Sequence, residues 1–210
     1  MSFLRNFGPA VFGGVLILCF EIYYHRKKDD RERENSKRAF WNRENEANNV
    51  RRQDISFLNY VNIKTENLPM EESQDEEITQ FQKELLELKG KRILNLKNAS
   101  NTDLKMQYGP ANLPDLITYD ENYITLINLL TNWATRLIEL EDSEAAIKVL
   151  EFGISVGSDS SRMFCMLATE YNKVGTPEKT DNLITLAKSL DSIMKNSIVS
   201  KLKTIRKYAQ

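Results

Sequence analysis

Long polar stretches alternate with apolar ones along this chain, and the first apolar stretch lies at its N-terminal end. Residues 7–20 carry no charged side chain, and the apolar pattern continues past Glu21 to Tyr24. Counted from Leu4, this stretch approaches the roughly 20 residues that a helix needs to cross a hydrocarbon layer of about 30 Å. The pattern therefore predicts a transmembrane anchor over residues 1–24, in contact with a lipid bilayer through residues 4–24.

A basic flank follows the predicted anchor. No small-residue cleavage site of a signal peptide ends the apolar run, which indicates an anchor that is retained. Because positively charged flanks tend to stay on the cytoplasmic side, Arg26, Lys27 and Lys28 favour a single-pass membrane protein with a cytoplasmic C-terminal body. Residues 25–53, which are rich in Arg, Glu, Asn and Lys, are expected to form a charged juxtamembrane stalk.

Residues 54–119 mix apolar islands with polar linkers. The end of the island at 55–63 alternates between apolar and polar positions, as a short strand would. After an acidic run, apolar residues recur from Ile78 onward at spacings of three and four, which predicts a helix near 78–97 that Gly90 interrupts. We expect this region to connect the stalk to the C-terminal body and to dock on it.

Residues 120–210 contain an internal repeat. The pattern around Trp133 and Ala134 returns 34 positions later around Leu167 and Ala168. Small residues recur in both copies, as expected where two helices approach closely. The repeated positions are Leu130, Trp133, Ala134 and Leu137, then Phe164, Leu167, Ala168 and Tyr171 on the first helices, and Ala146, Leu150 and Gly153, then Thr180, Ile184 and Ala187 on the second.

This pattern resembles the tetratricopeptide repeat family, whose helix-turn-helix units recur every 34 residues or so. The resemblance implies two units, at about 121–157 and 159–192, and a capping helix at 193–208. The expected fold class is all-α, with an N-terminal transmembrane helix, a polar spacer and a C-terminal stack of antiparallel helix pairs that ends in the capping helix. The sequence departs from the family pattern at Glu141, where glycine is usual, and at Ser158 and Ser192, where proline is usual.

Local residue types agree with the expected helix ends. Asp120 and Asp142 suit N-cap positions, and Gly157 and Gly175 suit the left-handed residue past a helix end. Two units are fewer than the three or so that a stable stack requires, so the first helix needs a cover. The 78–96 segment, a second copy of the chain and a partner are the candidates, and we favour the same chain.

The resemblance also implies a groove, lined by first-helix residues that do not pack inward. A polar groove of this kind binds extended peptides or helices, with amides that satisfy the ligand backbone and a charged side chain that forms an ion pair. The family's clamp for a C-terminal carboxylate is not indicated, because Thr131 and Met166 break its pattern. The groove candidates are Asn128, Asn132, Thr135, Arg162, Thr169, Asn172 and Lys173.

Composition limits the chemistry that the chain can perform. With 29 Lys and Arg against 30 Asp and Glu, nucleic acid is not the expected partner. One His and two Cys do not supply the usual metal site or nucleophile and base, so we expect no enzyme, metal or cofactor. The carboxylates Asp115, Asp120, Glu121 and Glu139 show no pairing beyond what helix caps and solvated faces explain.

Together these features predict a membrane-tethered scaffold that recruits a protein or peptide partner through the groove. Two alternatives stay open. One is a structural subunit of a membrane or envelope complex, in which the repeats assemble the chain into a homo-oligomer. The other, less favoured, is a membrane-bound enzyme that acts through carboxylates.

Overall fold

The structure is a computed structural model that describes residues 7–97 and 99–208, with only the backbone described at 7–13 and 15–17. All regular structure in these residues is helical, which confirms the all-α expectation. Two short 3-10 helices span Thr65–Asn67 and Pro110–Asn112. The α-helices are α1 (Phe7–Asn48), α2 (Glu76–Lys89), α3 (Asn101–Tyr108), α4 (Leu113–Glu139), α5 (Ser143–Ser155), α6 (Ser161–Lys173), α7 (Lys179–Ser189) and α8 (Lys195–Tyr208).

The predicted transmembrane anchor over residues 1–24 is wrong. Among the residues described, no helix combines the length and the apolar character that a membrane crossing requires. In the sequence, polar and small residues such as Gly8, Pro9 and Glu21 dilute the apolar run. The single-pass membrane location, the bilayer contact through residues 4–24 and the cytoplasmic orientation depended on this anchor and are contradicted with it. Residues 1–6 of the predicted anchor lie outside the described residues.

The basic residues assigned to a membrane flank lie within one continuous helix. Helix α1 runs for 42 residues, and its part from residue 25 to 48 contains neither Gly nor Pro and is rich in good helix formers. Lys27 lies over the ring of Tyr23, 5.8 Å from its centroid. Lys28 pairs with Glu32 one turn further on, at 3.9 Å. Arg26 is exposed on the same helix.

The described residues form two compact units, the first within 1–54 and 99–113 and the second within 55–98 and 114–210. In the first unit α1 packs against α3. Glu44 of α1 accepts hydrogen bonds from the Lys105 ammonium and, at 2.8 Å, from the Thr102 hydroxyl. These two contacts, the lysine first, lower the pKa of the Glu44 carboxyl. Polar contacts therefore hold α3 on the end of the long helix.

In the second unit, the chain segment before α4 shares its hydrophobic core. Ile78, Leu85 and Leu88 of α2 are buried in the same cluster as Leu130 and Trp133 of α4. The cover that the first helix of the repeats requires thus comes from the same chain. The segment that follows α2 is joined to α4 by hydrogen bonds.

Residues 91–97 run beside α4 without forming a helix. The Leu94 N–H donates to the Tyr119 carbonyl at 3.1 Å, and the Leu96 N–H donates to Oδ1 of Asp120 at 3.1 Å. Asp120 therefore lies inside α4 and binds a neighbouring segment, so its assignment as an N-cap is wrong. The strand suggested at the end of the 55–63 island is also wrong, since the described residues there form no β-ladder. Val61 makes a single backbone hydrogen bond of this kind, from its N–H to the Ile93 carbonyl.

An ion pair fixes the start of α2 on α4. Asp75 caps α2 by accepting a hydrogen bond from the Ile78 N–H at 3.1 Å. Its other carboxylate oxygen accepts two bonds from the Arg136 guanidinium of α4, at 2.7 and 3.1 Å. The Arg136 guanidinium, followed by the Ile78 N–H, lowers the pKa of the Asp75 carboxyl. The Asp75 side chain thus satisfies a backbone N–H at the start of α2 and also joins α2 to α4.

The 34-residue repeat of the sequence recurs in the backbone hydrogen bonds of the turns. The Asp142 N–H donates to the Leu137 carbonyl at 2.9 Å, and 34 residues later the Thr176 N–H donates to that of Tyr171 at 2.8 Å. The residues just before them have positive φ angles, 61° at Glu141 and 74° at Gly175. Both turns are therefore Schellman motifs, in which a left-handed residue directs the last carbonyls of a helix to the turn.

The repeat also extends beyond the two units. Helix α8 begins at Lys195, 34 residues after α6 begins at Ser161. Its buried residues Ile198 and Leu202 stand in the places that Phe164 and Ala168 occupy on α6. Helix α8 packs on both α6 and α7. The C-terminal helix thus continues the packing of the first helices of the repeats and closes the stack.

At Gly153 of α5, the end of the Met163 side chain from α6 occupies the space that a Cβ would take. A Cβ at this position would lie 2.0 Å from Cε of Met163 and 3.6 Å from Cδ1 of Leu130. Ala146 on the same helix and Ala134 and Ala168 on the first helices are completely buried. Small residues at the repeated positions therefore allow the close packing of the helix pairs.

The two equivalent turns permit a matched test of backbone strain. We expect Glu141→Gly to raise the free energy of unfolding by about 1 kcal/mol, because glycine adopts the left-handed conformation without a Cβ clash. Gly175→Ala should lower it by a similar amount, since the added Cβ has no neighbour within 4 Å and only the backbone conformation is penalised. Urea denaturation of the full chain measures both. Equal stabilities for Glu141→Gly and the unchanged chain would contradict the argument.

The Asp75–Arg136 pair makes stability depend on pH. A lowered carboxyl pKa stabilises the fold at pH values above the ordinary pKa of 3.8, and this contribution is lost as the pH falls through the lowered value. Asp75→Asn keeps a good N-cap and removes the charge. We expect it to lower the urea midpoint at pH 7, by an amount that shrinks below about pH 4. Glu87→Gln, exposed on the same helix, is the control, and a pH-independent effect of Asp75→Asn would refute the assignment.

Candidate protein-interaction groove

Groove candidates from α4 and α6 meet at one point. The Arg162 Nη2 of α6 donates to the Thr135 Oγ1 of α4 at 3.1 Å. Asn132 lies about one turn and Asn128 about two turns before Thr135 on α4, and both asparagines are exposed. The structure therefore brings Asn128, Asn132, Thr135 and Arg162 to neighbouring surfaces of the two helices.

The threonine hydroxyls of this face donate to their own helices. Thr135 donates to the Thr131 carbonyl at 2.7 Å, and Thr169 donates to the Cys165 carbonyl at 3.0 Å. Thr131, by contrast, is buried and donates to the Ile127 carbonyl. The donors that remain for a bound backbone are therefore the amides of the two asparagines and the Arg162 guanidinium.

Asn172 serves the packing of α8 and not an open groove. It is half-buried, and its Nδ2 donates to the Ile205 carbonyl of α8 at 3.4 Å. Its Oδ1 is buried and has no hydrogen-bond partner in the described part of the chain. Sequence spacing predicts this amide among the ligand-binding residues, but in the structure it contacts α8.

Lys173 neutralises a buried carboxylate. Its ammonium lies 2.7 Å from Oε1 of Glu170, whose side chain is 1% exposed. The other oxygen, Oε2, accepts a hydrogen bond of 2.6 Å from the hydroxyl of Ser143, the first residue of α5. The positive end of the α5 dipole faces the same carboxylate. Lys173 therefore completes an internal network between α5 and α6.

An apolar recess adjoins the exposed asparagines. It is lined by residues of α4 and by the loop that leads into α6, including Ile124, Ile127, Asn128 and Asp159. Ile124 is 53% exposed there, although it is a large apolar residue in the middle of a helix. Sequence reasoning missed Ile124, since the helical period marks it only as a surface position.

A more polar pocket shares part of its lining with this recess. Both are lined by Tyr123, Ile124 and Asp159. The polar pocket extends to Asp120 of α4 and to Asp191 in the loop between α7 and α8. Its acidic residues also escaped sequence reasoning. The one available signal was that Asp159 and Asp191 stand beside Ser158 and Ser192, the two repeated serines between units.

The carboxylates considered for catalysis have structural surroundings. Glu139 pairs with Arg136 at 3.1 Å, Asp120 accepts the Leu96 N–H, and Asp115 and Glu121 are exposed on α4. Among the described residues, no group of three His, Cys, Asp or Glu side chains is arranged to hold one metal ion. That the chain is not an enzyme stays a prediction.

Comparisons of the chain with protein-family models, with curated proteins and with solved structures found no match. The structure itself shows packed helix pairs in a helical-repeat arrangement.

The role assigned to Lys173 can be tested by stability. We expect Lys173→Met to lower the free energy of unfolding by about 1 kcal/mol, because it leaves the buried Glu170 carboxylate without its cation. Lys188→Met is a matched control, since Lys188 is also exposed in the last turn of its helix, α7. Thermal denaturation of the full chain provides the measurement. If the two variants are equally stable, Lys173 is not part of the internal network.

Proposed function

We propose that this chain is a protein-interaction module in which a tetratricopeptide-like stack formed by α4 to α8 binds an extended peptide or a helix of a partner protein. The observation that carries the proposal is the 34-residue recurrence of the Schellman turns at Glu141 and Gly175. Such units stack with their first helices side by side, which leaves one face of those helices as a binding surface. Here that face belongs to α4 and α6.

The groups exposed on this face suit a peptide. Asn128 and Asn132 offer amide donors and acceptors for a peptide backbone, and Arg162 offers a charged donor for a carboxylate or carbonyl. Beside them, Ile124 is available to bury an apolar side chain of the ligand. Apolar anchors within a polar surround are typical of protein interfaces.

A displayed library of random peptides, selected on the immobilised full chain, tests this function. Thr169→Trp places a large side chain on the proposed face of α6. Thr185→Trp is its matched control on α7, because both threonines are exposed and both donate to the carbonyl four residues earlier, at 3.0 Å. We expect selected peptides to lose about tenfold or more in affinity for Thr169→Trp, by obstruction of a central contact, and to bind Thr185→Trp normally.

Other outcomes of this experiment count against the proposal. A selection that yields no binding peptide, or peptides equally affected by both tryptophans, would refute the groove as a peptide site. Light scattering of the full chain over a range of concentrations separates the self-assembly alternative. An oligomer that Thr169→Trp dissociates and Thr185→Trp leaves intact would show that the face binds a second copy of the chain instead.

A further inference from the structure

Three carboxylates from three separate parts of the second unit line the polar pocket next to the groove. Asp120 comes from α4, Asp159 from the loop before α6, and Asp191 from the loop before α8. None of them forms a salt bridge within 4.0 Å in the described part of the chain, and Lys97 is the cation that shares the lining. The pocket therefore has an excess of negative charge.

Hydrogen bonds hold two of these carboxylates in place and use one oxygen of each. Oδ1 of Asp120 accepts the Leu96 N–H at 3.1 Å, and Oδ2 of Asp159 accepts the Ser192 hydroxyl at 2.5 Å. A carboxylate has about four acceptor positions on its two oxygens, so both retain capacity for a further donor. Acceptors that are already oriented lose less conformational freedom when a ligand binds.

A buried hydroxyl without a partner faces the same pocket. Tyr123 lines it, is 9% exposed, and its hydroxyl oxygen is buried with no hydrogen-bond partner among the described residues. Burial first, and then the charges of Asp159 and Asp120, raise the pKa of this phenol, so the hydroxyl stays neutral. Buried polar groups are nearly always hydrogen-bonded; apart from the nearby Asn95 side chain, this hydroxyl has only the pocket as a source of a partner, which favours a ligand atom there.

The combination of groups selects an organic cation. An ammonium or a guanidinium carries several N–H donors, which several carboxylates and a phenol oxygen can accept together. A metal ion is a poorer fit, since the described acidic side chains form no group of three that could ligate one ion. Because the pocket continues into the apolar recess of Ile124 and Ile127, the cation is expected at the end of a chain that also occupies the recess.

We propose that the pocket of Asp120, Asp159, Asp191 and Tyr123 binds a lysine or arginine side chain of the partner peptide. This inference rests on the proposed function, which supplies the peptide, and it adds the charge that the peptide must carry. The aliphatic stem of the basic side chain lies along Ile124, and its N–H groups donate to the carboxylates.

The test uses the peptides selected on the full chain. We expect a lysine or arginine at one recurrent position, and replacement of that residue by norleucine to weaken binding about tenfold through loss of charge-assisted hydrogen bonds. The double variant Asp159→Asn, Asp191→Asn keeps the shape of the pocket and should weaken the parent peptide by a similar factor. It should bind the norleucine peptide as the unchanged chain does, because the norleucine side chain carries no charge that the removed carboxylates could have bound.

Controls separate this inference from the proposed function. Glu144→Gln, exposed on α5, removes a carboxylate elsewhere and should leave peptide binding unchanged, and circular dichroism checks that each variant is folded. If no peptide is selected, the proposed function is refuted, and this inference with it. If peptides bind without a recurrent basic residue, or if norleucine weakens the double variant as much as the unchanged chain, only this inference is refuted. Binding of spermidine as tight as that of the peptides would also overturn it, in favour of a free polyamine.

Discussion

Burial of the outer face of α4 is the constraint on which the second unit depends. Two helix pairs leave one face of their first helix exposed, and Ile78, Leu85 and Leu88 of α2 cover that face together with Ile93. At about 1.5–3 kcal/mol for each buried aliphatic side chain, four such residues contribute an amount comparable with the whole net stability of a domain. The two hydrogen bonds from the Arg136 guanidinium to one oxygen of Asp75 then fix where α2 begins along α4.

Packing within each helix pair explains why the two repeat turns keep one geometry with different residues. At Gly175 the left-handed conformation requires no compensation, whereas at Glu141 the backbone adopts it with a side chain present. The hydrogen bond from Asp142 to Leu137 and the burial of Leu137 on one side of the turn and Ala145 on the other hold that conformation. Packing of a helix pair thus outweighs a local preference of about 1–2 kcal/mol.

Periodicity predicted the parts of the fold that depend on short spacings. The second-unit helices and the repeat follow from which positions along a helix are apolar, and those positions are buried. The predicted anchor failed because a run of low charge was taken as a span, although it is part of a helix that continues into charged sequence. The Asp120 cap failed because its partner, the Leu96 N–H, comes from a segment 24 residues away. No local pattern contains such a contact.

In the groove, too, local spacing predicts which residues are exposed but not which of them a distant segment contacts. A helical period identifies exposed positions, and it correctly placed Asn128 and Arg162 at the surface, but it does not tell which exposed residue a neighbouring helix will use. The same spacing predicts Asn172 and Lys173 on the exposed face of α6. In the structure Lys173 pairs with Glu170, and Asn172 donates a hydrogen bond to α8.

The acidic pocket is a site that no local spacing predicts. Its carboxylates lie in one helix and two loops, so only the stacking of the units gathers them. The loops that carry Asp159 and Asp191 are linked by the hydrogen bond between Asp159 and Ser192. This bond joins the loop before α6 to the loop before α8. The three carboxylates therefore come together only when α8, which packs like the first helices α4 and α6, is in place. A chain with two helix pairs and no α8 would therefore lack both the closing helix and the organised acidic end of its groove.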